Sequence, residues 1–363
     1  MRSLSLYIHV PFCTRRCSYC SFYHVPSEKS RERAFVDALL SEIDAALADL
    51  APVSLRTIFV GGGTPTVLAY SEWERVVAAL QPFMRDSLEE FTVEMNPEDV
   101  DANLARFLRG LGVSRASLGI QSMHPVGQKV LKRCDPATNE RAIDIVMSAW
   151  DNVSFDVLLG VPKTTPADLA GTLRRLLVKG PKHLSVYGLE PGGDMADEVE
   201  RFFRAVDPDR VADEYLEACR LLAGAGFDHY EVSNFARPGF ESRHNAAYWD
   251  GREYLGVGPA AHSMVGGRRF RNDASIDAYA SRSGAQHLAA RAYDEGGDAK
   301  LEAAMLALRT KQGIAHELCD AVVLEEMVGE GLAIAEGNRV RLTDRGYLVL
   351  NDMVLKLSSV APC

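Results

Sequence analysis

Along the first two-thirds of the chain, short runs of β-branched and apolar residues alternate with longer stretches whose apolar positions recur near i, i+3, i+4 and i+7. The short runs predict strands over Leu4–Val10, Arg56–Val60, Phe91–Met95, Arg115–Ile120, Val153–Leu159 and His183–Tyr187. The longer ones predict amphipathic helices, as in SRERAFVDALLSEIDAALADL, SEWERVVAALQPFM, TNERAIDIVMSAW and PADLAGTLRRLLVKG. Ser30, Ser71 and Pro166 mark helix starts. Strands alternating with helices imply parallel strands joined by right-handed crossovers. Six such units are too few to close an eight-unit barrel, so the expected fold is α/β, a partial (β/α)6 barrel or open sheet.

The pattern changes near residue 233. Segment 234–273 is rich in Gly, Pro, Asn, Arg and aromatics, shows little periodicity, and reads as a long functional loop. The stretch GAQHLAARAYDEGGDA reads as a connector. After it come short helical patterns and then GLAIAEGNRVRLTDRGYLVLNDMVLKL, a two-stranded wing turning at Gly337–Asn338 before a last helix. The expected division is residues 1–235 as the barrel, 236–299 as loop and connector, and 300–363 as a small winged-helix-like α+β domain.

Composition narrows the class. Apolar residues are 47% and charged residues 25%, with 29 Gly and 16 Pro among 363 residues, which excludes disordered and collagen-like chains. The formal charge of −10 is spread along the chain, which disfavours a generic electrostatic grip on nucleic acid and leaves at most peripheral contact with a membrane. No apolar run reaches the roughly 18 residues of a membrane span, and MRSLSLYIHV lacks the features of a signal peptide, so a cytoplasmic location is expected.

Three of the seven cysteines, Cys13, Cys17 and Cys20, stand as C-x3-C-x2-C directly after the first predicted strand. Three thiolates on one loop can hold three corners of a [4Fe–4S] cube and leave the fourth iron open. A zinc knuckle with His9 or His24 is the alternative, but it lacks the second pair of ligands that such sites use. Cys134, Cys219, Cys319 and Cys363 are scattered and read as structural or incidental thiols.

The spacing, the leading YIHVPF and the aromatics around the third cysteine resemble the radical S-adenosylmethionine (SAM) superfamily. Within it they resemble the branch of oxygen-independent coproporphyrinogen III oxidase and the heme chaperone HemW family. The resemblance covers nearly the whole chain. It implies a partial TIM-like radical SAM barrel in which the amino and carboxylate groups of SAM chelate the open iron, and reduction cleaves SAM to methionine and a 5′-deoxyadenosyl radical. Carried over residue by residue, it implies SAM contacts from Tyr7, the run Gly61, Gly62, Gly63 and Thr64, Glu94, Gln121, Arg133, Asp156 and the main chain of Leu158. Ligands of such barrels sit beyond the carboxyl ends of the strands, where most of these residues fall. A glycine turn offers close backbone approach, and Arg133 could pair with the SAM carboxylate.

Two features separate the oxidase from the carrier in this branch. The oxidase has a further cysteine two residues after the third, where this chain has Phe22, and an N-terminal arm, whereas here the first cluster cysteine is already residue 13. Both departures disfavour coproporphyrinogen III oxidation, so whether the chain is an enzyme stays open. HNAAYW, residues 244–249, matches the H-N-x-x-Y-W of the carriers and implies a heme site with His244 as iron ligand and Tyr248 and Trp249 as flat apolar faces. Arg243 could meet a propionate, His262 is a second ligand candidate, and His124 reads as a loop residue. The resemblance therefore implies a cluster, SAM, heme as cargo, an acceptor hemoprotein as partner, and leaves a homodimer open. The alternative is the oxidase (dehydrogenase) or a related radical SAM methyltransferase.

Overall fold

The computed structural model describes residues 2–84, 87–188, 201, 204, 206–294, 296–297 and 299–358. Cys363 lies outside the described residues. Six parallel strands run in chain order: β1 (Arg2–Val10), β2 (Val53–Gly62), β3 (Glu90–Met95), β4 (Arg115–Gln121), β5 (Asn152–Leu158) and β6 (His183–Tyr187). Between them lie helices α1 (Lys29–Asp49), α2 (Tyr70–Met84), α3 (Ala102–Gly110), α4 (Pro125–Leu131), α5 (Pro136–Ala149) and α6 (Pro166–Lys179). All six strands fall where the hydrophobic pattern places them. Helix α6 starts at Pro166 behind Thr165, whose hydroxyl and Asp168 cap each other's backbone amides.

Parallel strands buried on both faces usually read as unbroken apolar runs. Here one face is apolar and the other polar. Leu6, Ile8, Val60, Val93, Leu118, Phe155 and Val186 point outward, fully buried in the core shared with helical residues such as Phe35 and Trp73. The register sets Thr57 beside Glu90, Thr92 beside Arg115, Glu94 beside Ser117, Ser154 beside His183, and Asp156 beside Ser185 on the inner face. Because side chains alternate along a strand, the outer face carries the hydrophobic stabilisation and the inner face is left for chemistry.

After α7 (Pro208–Gly224), β7 (Asp228–Glu231) and β8 (Asn234–Ala236) form an antiparallel hairpin that extends the sheet beyond β6. The segment expected to be a long loop is instead structured. It contains α8 (Arg243–Trp249), then β9 (Tyr254–Val257), which pairs parallel with β1, followed by β10 (His262–Val265) and β11 (Arg268–Arg271). Each of these strands has four residues, too few to show a period, and the partner that orders β9 lies some 250 residues away in sequence. Short helices α9 (Ile276–Ala280) and α10 (Ala285–Ala289) lead to β12 (Ala292–Tyr293), the far edge of a twelve-stranded sheet.

The C-terminal part begins with α11 (Ala299–Ala307). A three-stranded sheet of β13 (Ile314–Ala315), β14 (Ala333–Glu336) and β15 (Arg339–Leu342) carries the expected wing, with Gly337 at φ +57° in its turn. Helices α12 (Ala321–Gly329), α13 (Asp344–Tyr347) and α14 (Leu350–Ser358) pack on it. Among the described residues no helix is long and apolar enough to cross a membrane.

Candidate functional site

The cysteine loop hangs from the carboxyl end of β1 and is tied to the rest of the barrel. Ser18 bonds the carbonyls of Leu131 and Val130 at the end of α4. Cys13 accepts a hydrogen bond from Thr64 Oγ1 at 3.5 Å, and Cys17 one from Arg133 at 3.6 Å. Asn96 joins the two, donating to Thr64 Oγ1 at 2.6 Å and accepting from Arg133 at 2.7 Å. Arg133 also donates to the Gly119 carbonyl. Burial pushes the Cys20 thiol up to about 12 and raises that of Cys13, against the Thr64 hydrogen bond. Thiols raised in this way stay protonated at neutral pH, and a bound metal would be needed to take their protons. Among the described residues the three sulfurs do not converge to single-ion distance. Cys17 and Cys20 are half-buried, so the donor set faces the barrel mouth.

The glycine run lies against this loop. The amide of Gly63 bonds the Val10 carbonyl and that of Thr64 the Phe12 carbonyl, at 2.8 and 2.7 Å. A Cβ on Gly61 would come within 2.5 Å of the Glu94 carboxylate, and one on Gly63 within 2.6 Å of the Phe12 carbonyl. Gly62, at φ +104°, donates its amide to Glu94 at 3.1 Å. Only glycines admit this packing.

Glu94 and Asp156 face the lumen from β3 and β5. Burial and the charge of Asp156 raise Glu94 to about 7, against the pull of the Gly62 amide and Arg115. Burial raises Asp156 to about 6, opposed by Arg115 and by the hydroxyls of Ser185 and Ser117, the latter 3.1 Å away. Two carboxyls sharing a lumen destabilise each other's charge, and a bound cation or a set of hydroxyls would relieve both. Gln121 closes β4 with φ +64° and accepts from Tyr187 at 2.9 Å, a left-handed position held in place by its neighbours. Tyr7 bonds His9 Nδ1 at 3.0 Å. Leu158 is buried at the end of β5.

Sequence reasoning missed Asn96 and Arg115. Asn96 stands two residues after Glu94, and an Asn-Pro after a strand was a readable signal. An arginine at a strand start reads as surface. Only the curl of the sheet brings Arg115 inside, 2% exposed, with its Nε unpartnered among the described residues.

Helix α8 carries the HNAAYW motif and is held from inside the barrel. The Glu90 carboxylate accepts the amides of Arg243 and His244, at 2.9 and 3.2 Å, and the Ser242 hydroxyl at 3.2 Å. His244, the residue the resemblance offers as iron ligand, has both ring nitrogens engaged within the protein here. Its ring is buried, Nδ1 bonds Thr57 at 2.8 Å and Nε2 bonds Tyr248 at 2.8 Å. Burial, with Arg115 nearby, lowers it to about 3, so it stays neutral and serves to anchor the helix. Arg243 pairs with Glu89 at 2.7 Å on the outside. His124 stands just before α4, makes no side-chain cap bond to it, and lies 3.5 Å from Asp168.

Beyond the motif opens a cavity of about 900 Å³, within the usual range for ligand pockets. Tyr7 and His9 of β1, Phe22 and Tyr23 of the cysteine loop, Tyr248 and Trp249 of α8, His262 of β10 and part of α11 line it. His9 uses both ring nitrogens, on Tyr7 and on the Tyr23 carbonyl. His262 is exposed, and burial of part of its ring lowers it, which favours the neutral form. The structure thus brings Tyr248 and Trp249 to the cavity and leaves His244 behind them.

The family model of the radical SAM superfamily matches residues 7–176. The chain is 33% identical to the heme chaperone HemW of Mycobacterium tuberculosis, over 97% of this chain and 94% of that one. It is 30% identical to the HemW proteins of Lactococcus lactis (97% and 96% covered) and Escherichia coli (97% of each). Coproporphyrinogen III oxidase (HemN) of Escherichia coli, a radical SAM enzyme, superposes with a TM-score of 0.84 over 99% of this chain and 91% of that one, at 21% identity.

Proposed function

The chain belongs to the HemW family of radical SAM proteins, and from that membership we propose that it holds heme in the cavity beside its cysteine loop and passes it to an acceptor hemoprotein. Membership implies a [4Fe–4S] cluster and SAM. The donor set fits both: three cysteines and no fourth, glycines that no side chain could replace, and two lumen carboxyls awaiting a cation. In this reading Cys13, Cys17 and Cys20 hold the cluster. Thr64, Asn96 and Arg133 orient the sulfurs. The backbone of Gly61–Gly63 with Glu94 receives the SAM amino group, Asp156 and Gln121 its polar edges, and Arg133 its carboxylate, with Tyr7 and Leu158 packed beside it. When bound, the cluster and SAM supply one-electron chemistry.

One observation carries the heme reading. The cavity combines flat aromatic walls, Tyr248 and Trp249, with an imidazole, His262, that faces it and has no hydrogen-bond partner among the described residues. A neutral imidazole is a good axial ligand, and aromatic faces suit a macrocycle. Phe22, 66% exposed at the mouth, supports a carrier over an oxidase, because it puts an apolar face where the resemblance expects a cysteine. The work divides, in this proposal, into a barrel (1–235), a segment forming the cavity wall (236–299) and a small C-terminal domain (300–363).

A hemin titration under anaerobic conditions tests this. His262→Ala is expected to shift the Soret band and weaken binding at least tenfold, and Trp249→Ala to weaken it, with cluster content unchanged. Hemin binding insensitive to both, together with SAM-dependent loss of carbon dioxide from coproporphyrinogen III, would replace the carrier reading by an enzymatic one.

A further inference from the structure

At the β7 edge of the twelve-stranded sheet, a thiol, a ring nitrogen and a carboxylate oxygen from Cys219, His229 and Asp344 lie within 4.8 Å of one another, the one such convergence among the described residues. They come from three elements: Cys219 from α7, His229 from β7 and Asp344 from α13 of the C-terminal part. Cys219 is buried, His229 half-buried and Asp344 exposed, so the site is open on one side. His229 Nδ1 is 2.8 Å from Asp344 Oδ1 and 4.0 Å from Cys219 Sγ. The ring is fixed by stacking on Phe235, 4.1 Å between centroids and 15° between planes.

The tautomer follows from the other nitrogen. The Tyr215 hydroxyl gives its hydrogen to the Val232 carbonyl at 2.8 Å. His229 Nε2 faces that same hydroxyl oxygen at 3.3 Å and that same carbonyl at 3.4 Å. Both are acceptors towards it, so Nε2 carries the ring hydrogen. In the neutral ring Nδ1 is then a lone pair, aimed at a carboxylate and a sulfur. The Cys219 thiol hydrogen points to the Asp344 carboxylate, and a divalent cation taking that hydrogen's place would meet three donor atoms already gathered within 4.8 Å. Ring N–H to a carbonyl on one side and lone pair to the ion on the other is how metal-bound histidines are oriented. Mixed N, S and O donors at this spacing suit tetrahedral Zn²⁺, with water in the fourth position.

We propose that Cys219, His229 and Asp344 bind one zinc-class divalent cation that fastens the C-terminal domain to the barrel. Binding breaks the Cys219 S–H bond, forms one sulfur–metal bond and releases the proton to water, with no change of oxidation state. A catalytic Cys-His-Asp arrangement does not fit, because thiol and carboxylate meet the same ring nitrogen and not opposite ones.

The test uses the cluster-loaded full chain, dialysed against buffered zinc and assayed by mass spectrometry. It also uses the full-length Cys13→Ala, Cys17→Ala, Cys20→Ala variant, titrated with cobalt(II). The expected result is one zinc per chain in addition to iron, and in the variant a thiolate-to-cobalt charge-transfer band with tetrahedral d–d intensity. Cys219→Ser should abolish the band. Asp344→Asn, an exposed substitution that leaves the core untouched, should weaken zinc by more than the about 100-fold that losing a supporting partner can cost, and should lose the rise in unfolding temperature that zinc gives the parent. No zinc beyond the cluster site, or undiminished affinity in Asp344→Asn, overturns the proposal and leaves His229 and Asp344 as an ion pair.

Discussion

Glu94→Gln separates the two tasks that one lumen carboxyl performs. In the free protein Glu94 is raised to about 7 from an ordinary 4.5 because burial and Asp156 oppose its charge. A group whose folded value lies above its unfolded one stabilises the fold while protonated in both states, and that contribution is lost as pH rises. The loss begins near the unfolded value, 4.5, and ends near the folded value, about 7. Over pH 4 to 8 the shift corresponds to on the order of 3 kcal/mol at 1.36 kcal/mol per unit. Glutamine keeps an oxygen for the Gly62 amide and never ionises. The SAM-free variant should therefore match wild type near pH 4 and be more resistant to urea by on the order of 3 kcal/mol at pH 8. SAM affinity should move the opposite way. Losing a charge-assisted hydrogen bond costs about 1.5–3 kcal/mol, roughly tenfold to a hundredfold. Urea denaturation at the two pH values and anaerobic calorimetry with SAM measure both. Equal wild-type and variant stability at pH 8 would refute the strained-carboxyl reasoning, whatever the SAM result.

Replacing Cys13, Cys17 and Cys20 by Ala should remove the about four irons per chain that a [4Fe–4S] site implies, and retained iron on anaerobic reconstitution would contradict the cluster site. Gly61→Ala puts a Cβ 2.5 Å from the Glu94 carboxylate, so it should displace that side chain and weaken SAM binding while iron content, set by other residues, stays normal. His244→Phe strips Thr57 and Tyr248 of their partner and should cost about 1–3 kcal/mol for each buried group left unpaired. Thermal unfolding should report that loss, with the hemin spectrum less affected than in His262→Ala.

The strands β1 to β6 were legible because each keeps an apolar face with period two and is bounded by a helical period. The cysteine loop and the glycine run were legible because their chemistry is local in sequence. What the chain concealed is what closure creates. His244 stands in a motif that suggests a ligand, yet the residues that occupy its nitrogens, Thr57 and Tyr248, become its neighbours only when α8 is laid against β2. Glu90 reads as a surface residue beside Glu89, and its burial under the start of α8 depends on a contact some 150 residues distant. The four-residue strands β9, β10 and β11 carry no period of their own and take their order from the edge of β1.

The way Glu90 grips α8 makes the cavity a vice with one fixed jaw. Three hydrogen bonds to that carboxylate, two of them buried, and two more through His244, hold the wall bearing Tyr248 and Trp249. The facing wall, α11, is latched to the sheet by Arg269, which bonds Glu302 at 2.8 Å through Nε with both side chains about one-third exposed. A partly exposed ion pair of this kind is worth about 1 kcal/mol or less and weakens with salt. On the proposed heme reading, the α11 side of the cavity would be the more salt-sensitive one, because its Arg269–Glu302 tie is partly exposed while the bonds that hold α8 are buried or nearly so.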